Sequence, residues 1–108
     1  MGLVIAPLKD GKVDDWVSWS EALTGEQIAD WEDFNKRYEL TRHDAWLAEL
    51  PGGPAIVVLH EGPGADSFMA KVASSDHDFD LAFKERLMEF HGLDLSNPPD
   101  GPMPVKMI

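Results

Sequence analysis

Two stretches, Leu3–Leu8 (LVIAPL) and Ala55–Leu59 (AIVVL), are apolar at nearly every position. A strand that packs on one side only alternates apolar and polar residues, because successive side chains point to opposite faces. These two do not alternate, so both of their faces need cover. At 108 residues the chain supports one domain and one core, here taken as residues 1–108. It has little left over to blanket a second sheet face. A second copy of the chain is the simplest cover, and a homodimer formed through sheet faces is expected.

The rest of the sequence supplies the other elements in order. Val13, Trp16, Val17 and Ser20 recur at helical spacing behind the turn Lys9–Lys12. Thr24 with Gln27 fits a capping box, so a second helical stretch carrying Ile28, Trp31 and Tyr38 is expected to start there and end near Glu39. Thr41–Leu50 and Ala55–Glu61 flank the turn Pro51-Gly52-Gly53-Pro54 and read as a hairpin. Asp66 can cap a short helix through Ala73, and a longer helix carries Phe79, Phe83, Leu87 and Phe90 up to the stop at Gly92. Val105–Ile108 reads as a last short strand. The order β-α-β-β-α-β predicts an α+β ferredoxin-like domain: a four-stranded antiparallel sheet with the helices on one face.

Composition narrows the function classes. A formal net charge of -11 repels phosphate backbones and anionic lipid surfaces, so neither nucleic acid nor membrane is an expected partner. No cysteine is present, which removes thiolate nucleophiles, disulfides and zinc–thiolate sites. With no signal sequence and no apolar run of spanning length, a cytoplasmic protein is expected. There is no G-x-S-x-G, no Walker loop, no G-x-G-x-x-G and no H-E-x-x-H, and no cofactor or metal is expected.

The chemistry therefore rests on histidines, carboxylates and aromatic rings. His77 sits between Asp76 and Asp78, and a histidine beside carboxylates suits a general base. The same acidic residues equally suit the first turn of a helix starting near Phe79. His60 ends the third strand on the face of Ile56 and Val58, where it points into a pocket, lies on a rim or meets a partner. His91 suits a helix C-terminus, His43 a rim position, and Asp80 with Lys84 a helical i, i+4 ion pair. Trp16, Trp46, Phe83 and Tyr38 are candidates to line a pocket for a planar, apolar molecule, or simply to fill the core.

The strand LVIAPL, the helix opening GKVDDW, the hairpin AWLAELPGGPAIVVLHEG and the segment SSDHDFDLAFKERLMEFHGLDL together resemble the dimeric α+β barrel superfamily. Its relatives include antibiotic-biosynthesis monooxygenase-like, EthD-like and muconolactone isomerase-like families. The last segment is most similar to small bacterial families of unknown function. The resemblance implies two sheets packed face to face and a pocket between sheet and helices in each subunit. It further implies a cofactor-independent oxygenase or isomerase acting on an apolar or aromatic substrate, with His60 or His77 moving protons. The alternative is a non-catalytic ligand-binding or interaction module.

Overall fold

The computed structural model describes residues 2–97, 104 and 106–108. Three strands, β1 (Gly2–Pro7), β2 (Arg42–Leu50) and β3 (Gly53–Glu61), form one antiparallel sheet in the order β1-β3-β2. Four helices accompany it: α1 (Val13–Thr24), α2 (Ile28–Arg37), α3 (Phe68–Ala73) and α4 (Asp78–His91). A single 3-10 turn, Ala65–Ser67, leads into α3.

The expected four-stranded ferredoxin-like sheet is corrected by this arrangement. Lys106–Ile108 belong to no strand, and Met107 and Ile108 are almost wholly exposed; Val105 lies outside the described residues. A three-residue end with no neighbouring strand gains too little pairing to hold it. Among the described residues the sheet has two free edges, β1 and β2, and does not close into a barrel. Each of the two helical regions is a pair of separate helices.

The register explains the doubly apolar strands. Val4, Ala6, Ile56, Val58 and His60 face the helices, with His43 opposite His60 and Leu47 opposite Ile56. Leu3, Ile5, Val57, Leu59 and Trp46 share the other face, where Ile5 and Trp46 are 45% and 47% exposed. Among the described residues nothing covers that outer face.

Local signals decided most helix ends, though not the one expected for α2. Thr24 Oγ1 donates back to the Ser20 carbonyl at 3.0 Å, so it closes α1 and no capping box opens α2. Gly92 ends α4 in the left-handed region at φ 67°, accessible to glycine at little cost. The segment after β3 passes so close to the end of α2 that a Cβ on Gly64 would lie 1.9 Å from the Tyr38 carbonyl oxygen. Only glycine permits that approach.

Two apolar clusters hold the layers. Phe34 centres one, with Leu40, Ala65, Phe68, Val72 and Phe83; Leu8, Trp16, Ile56 and Phe90 form the other. The Trp19 ring joins them, 5.8 Å from Phe83 and 5.5 Å from Phe90 between centroids.

Candidate functional site: an aromatic cavity with a buried histidine pair

The inner face of the sheet does not meet the helices everywhere. Between them lies a cavity of about 580 Å³, open to solvent on one side. The sheet contributes Val4, Ala6, Ala45, Ile56 and Val58, and α1 contributes Trp16, Trp19 and Ser20. Trp31, Phe68, Phe83 and Leu87 complete an aromatic and aliphatic lining. Ala45 and Leu47 point inward yet remain exposed, because no helix covers that end of β2.

The polar part of the wall is a pair of imidazoles. His43 on β2 and His60 on β3 are register partners, and their Nε2 atoms lie 3.2 Å apart. His60 is 4% exposed. The Phe68 ring packs on both, and Trp31 lies 4.6 Å from the His43 ring. Asn35 Oδ1 sits 2.8 Å from His43 Nδ1. Burial depresses both pKa values: His43 falls to about 3, helped by its neighbour's charge, and His60 to about 4. Near pH 7 both rings are neutral. His91 also borders the cavity, where its Nδ1 donates to the Pro7 carbonyl at 2.9 Å and ties α4 to β1. Burial lowers its pKa, partly offset by that bond.

Among the candidates from the sequence, His60, Trp16, Trp46 and Phe83 border this cavity. The Trp46 ring belongs to the outer face, however, with the Arg42 guanidinium 6.0 Å from its centroid. His77, Asp76 and Tyr38 lie elsewhere. His77 is the N-cap of α4, and its Nδ1 accepts from Phe79 N at 3.2 Å. Asp76 is exposed beside it.

Tyr38 instead belongs to a buried carboxylate network. Asp80 is fully buried and accepts two hydrogen bonds from Arg37, at 2.8 and 3.1 Å. Ser75 Oγ donates to it at 2.6 Å, and the Tyr38 hydroxyl donates as well. Burial alone would raise the Asp80 pKa, but the bonds from Arg37, Ser75 and Tyr38 outweigh it and hold the value at about 2. Burial, then the Asp80 contact, pushes the Tyr38 hydroxyl up. The expected Asp80–Lys84 pair does not form. Lys84 Nζ donates to the Ala73 and Ser75 carbonyls, closing the end of α3.

His43, expected at a rim, is half-buried in the cavity wall, and Asn35 is the partner that the sequence does not single out. The signal available was parity: His43, Ala45 and Leu47 alternate on one face of a strand whose hairpin partner carries His60. Among the described residues no three metal-ligating side chains converge. Nor is any helix among them long and apolar enough to cross a membrane.

No family model, curated protein or solved structure matches this chain.

Proposed function

We propose that the chain binds a neutral, planar, largely apolar small molecule in the cavity between its sheet and its helices. The observation that carries this is an aromatic-lined space of about 580 Å³ with a neutral histidine pair in its wall, His60 buried and His43 half-buried. Sites for small molecules have this make-up: mostly apolar lining and a few placed polar groups. Binding is favoured over proton abstraction because an imidazole with a pKa of about 4 is a weak base near pH 7.

The test is titration with 2-naphthol and 2-methoxynaphthalene, followed by ligand-detected NMR. Ligands of this size are expected to bind with a dissociation constant of roughly 10⁻⁴ M. Ala45→Trp, at an exposed inward position of β2, should fill the space and weaken binding at least about tenfold while the fold persists. Binding unchanged by that substitution would place the ligand elsewhere and overturn the reading.

We infer in addition that a second copy of the chain covers the outer sheet face. Leu3, Ile5, Val57, Leu59 and Trp46 form one apolar surface there. At one end Arg42 contacts both Asp44 and Glu61, so the patch carries both signs of charge. A two-fold axis makes such a patch self-complementary. Each copy carries a net charge of -11, so association is expected to strengthen as salt screens the repulsion. Sedimentation velocity at low and high salt, with Ile5→Glu as the disrupting variant, checks this. A wild-type monomer at both salt concentrations would exclude the second copy.

A further inference from the structure

The histidine pair has a direction. A neutral imidazole carries one N–H, and an amide oxygen only accepts. Asn35 presents its Oδ1 to His43 Nδ1 at 2.8 Å, so the His43 proton resides on Nδ1. His43 Nε2 then bears a lone pair. His60 Nε2, 3.2 Å away, must donate to it. That uses the one proton of His60 and leaves its Nδ1 as a bare acceptor. Among the described residues no side chain donates to that atom, and it is not sealed from solvent. Its register partner on β1 is Gly2, where a Cβ would lie 3.5 Å from Nδ1. The missing side chain leaves room beside the acceptor.

We propose that Asn35, acting through His43, sets the hydrogen-bond polarity of the cavity wall, so that the site selects planar apolar molecules carrying an O–H or N–H donor. This rests on the cavity being a ligand site. Asn35 is a positioning residue; His60, whose ring borders the cavity, is assigned to meet the ligand through its free Nδ1. A molecule offering only an acceptor would displace water from His60 Nδ1 and set lone pair against lone pair, and sites built on a hydrogen bond to the ligand discriminate against partners that cannot make it.

Two measurements decide it. The first needs no ligand: the imidazole ¹⁵N shifts of the wild-type protein near pH 7. The expected result is His43 protonated on Nδ1 and His60 on Nε2. The reverse pair of tautomers overturns the proposal. Asn35→Asp, which also only accepts, should keep the assignment, while Asn35→Leu should release it to a mixture of tautomers. An unchanged, single tautomer pair in Asn35→Leu would remove Asn35 from the role.

The second compares 2-naphthol with 2-methoxynaphthalene. The hydroxyl compound is expected to bind at least about tenfold more tightly, with the ratio falling toward one in His60→Phe. Equal binding of both to the wild type refutes the polarity while leaving the ligand site standing. Binding of neither refutes the ligand site, and with it the selectivity.

Discussion

Replacing Asp80 by alanine is expected to lower the unfolding free energy by about 3–5 kcal/mol, the usual cost of removing one member of a buried ion pair. The carboxylate is fully buried and is shared by Arg37 of α2, Tyr38 at the end of α2 and Ser75 ahead of α4. Its loss strands the Tyr38 and Ser75 hydroxyls and releases the contact between α2 and α4. Small domains are stable by only about 5–15 kcal/mol, so the variant should lie near the edge of folding. Asp80→Asn should cost less, because the amide oxygen still accepts and the partly exposed Arg37 can turn toward water. Urea unfolding at pH 7 checks both variants. A loss under about 1 kcal/mol for the alanine variant would show that the network is not holding the helices together.

The second large effect is a fall in stability on mild acidification. His43 and His60 have folded pKa values of about 3 and 4, below the unfolded value near 6.5. Between those limits the unfolded chain binds protons that the folded chain refuses. Stability therefore rises with pH across this window and falls as pH drops from about 6.5. Each histidine contributes a slope approaching about 1.4 kcal/mol per pH unit. The two together should remove roughly 3–5 kcal/mol between pH 6.5 and pH 4.5. Asp80 acts in the same direction lower down. Its depressed pKa stabilises the fold above the unfolded value near 4, and that stabilisation is lost as pH falls toward about 2. Denaturant midpoints measured from pH 7.5 to pH 4 check the slope. The double variant His43→Phe, His60→Phe should remove most of that slope above pH 4.5, leaving the share of His91, whose pKa burial also lowers. A flat wild-type profile over that range would mean the rings are not buried as neutral groups.

These two effects rest on the contacts that were hardest to read beforehand. Element types followed from local rules: apolar runs for β1 and β3, helical spacing for Trp16 and Val17, Gly92 as a stop. The hairpin followed from Pro51–Pro54, and its parity already put His60 with Ile56 and Val58. What joins distant segments left no such trace. Asp80 and Lys84 have the spacing of a helical ion pair, yet Arg37, 43 residues away, takes the carboxylate. Burial makes a fork of two hydrogen bonds to Arg37 worth more than one flexible surface pair. His77 beside two aspartates looked like a base, but a residue just before a helix is first of all needed to accept from its free N–H groups. The sequence offers Val105–Ile108 as a last strand, but residues 106–108 have no strand beside them to join.

The sheet order bears on how the molecule assembles. β2 and β3 are joined by the tight turn at Pro51 and Gly52, so their pairing closes a short loop. Among the described residues β1 pairs only with β3, and Leu3 meets Leu59 across more than half the chain. Contacts so far apart in sequence form late, because the loop entropy is spent before the pairing is gained. The hairpin that carries His43 and His60 therefore comes together first, and the strand bearing Gly2, Val4 and Ala6 closes over it last. β1 and β2 are both edge strands held by one neighbour, but β1 has 6 residues against 9 in β2, so its release is the cheaper of the two edge openings. Such an opening uncovers the histidine pair from the Gly2 side, a route into the cavity that leaves both helix pairs in place.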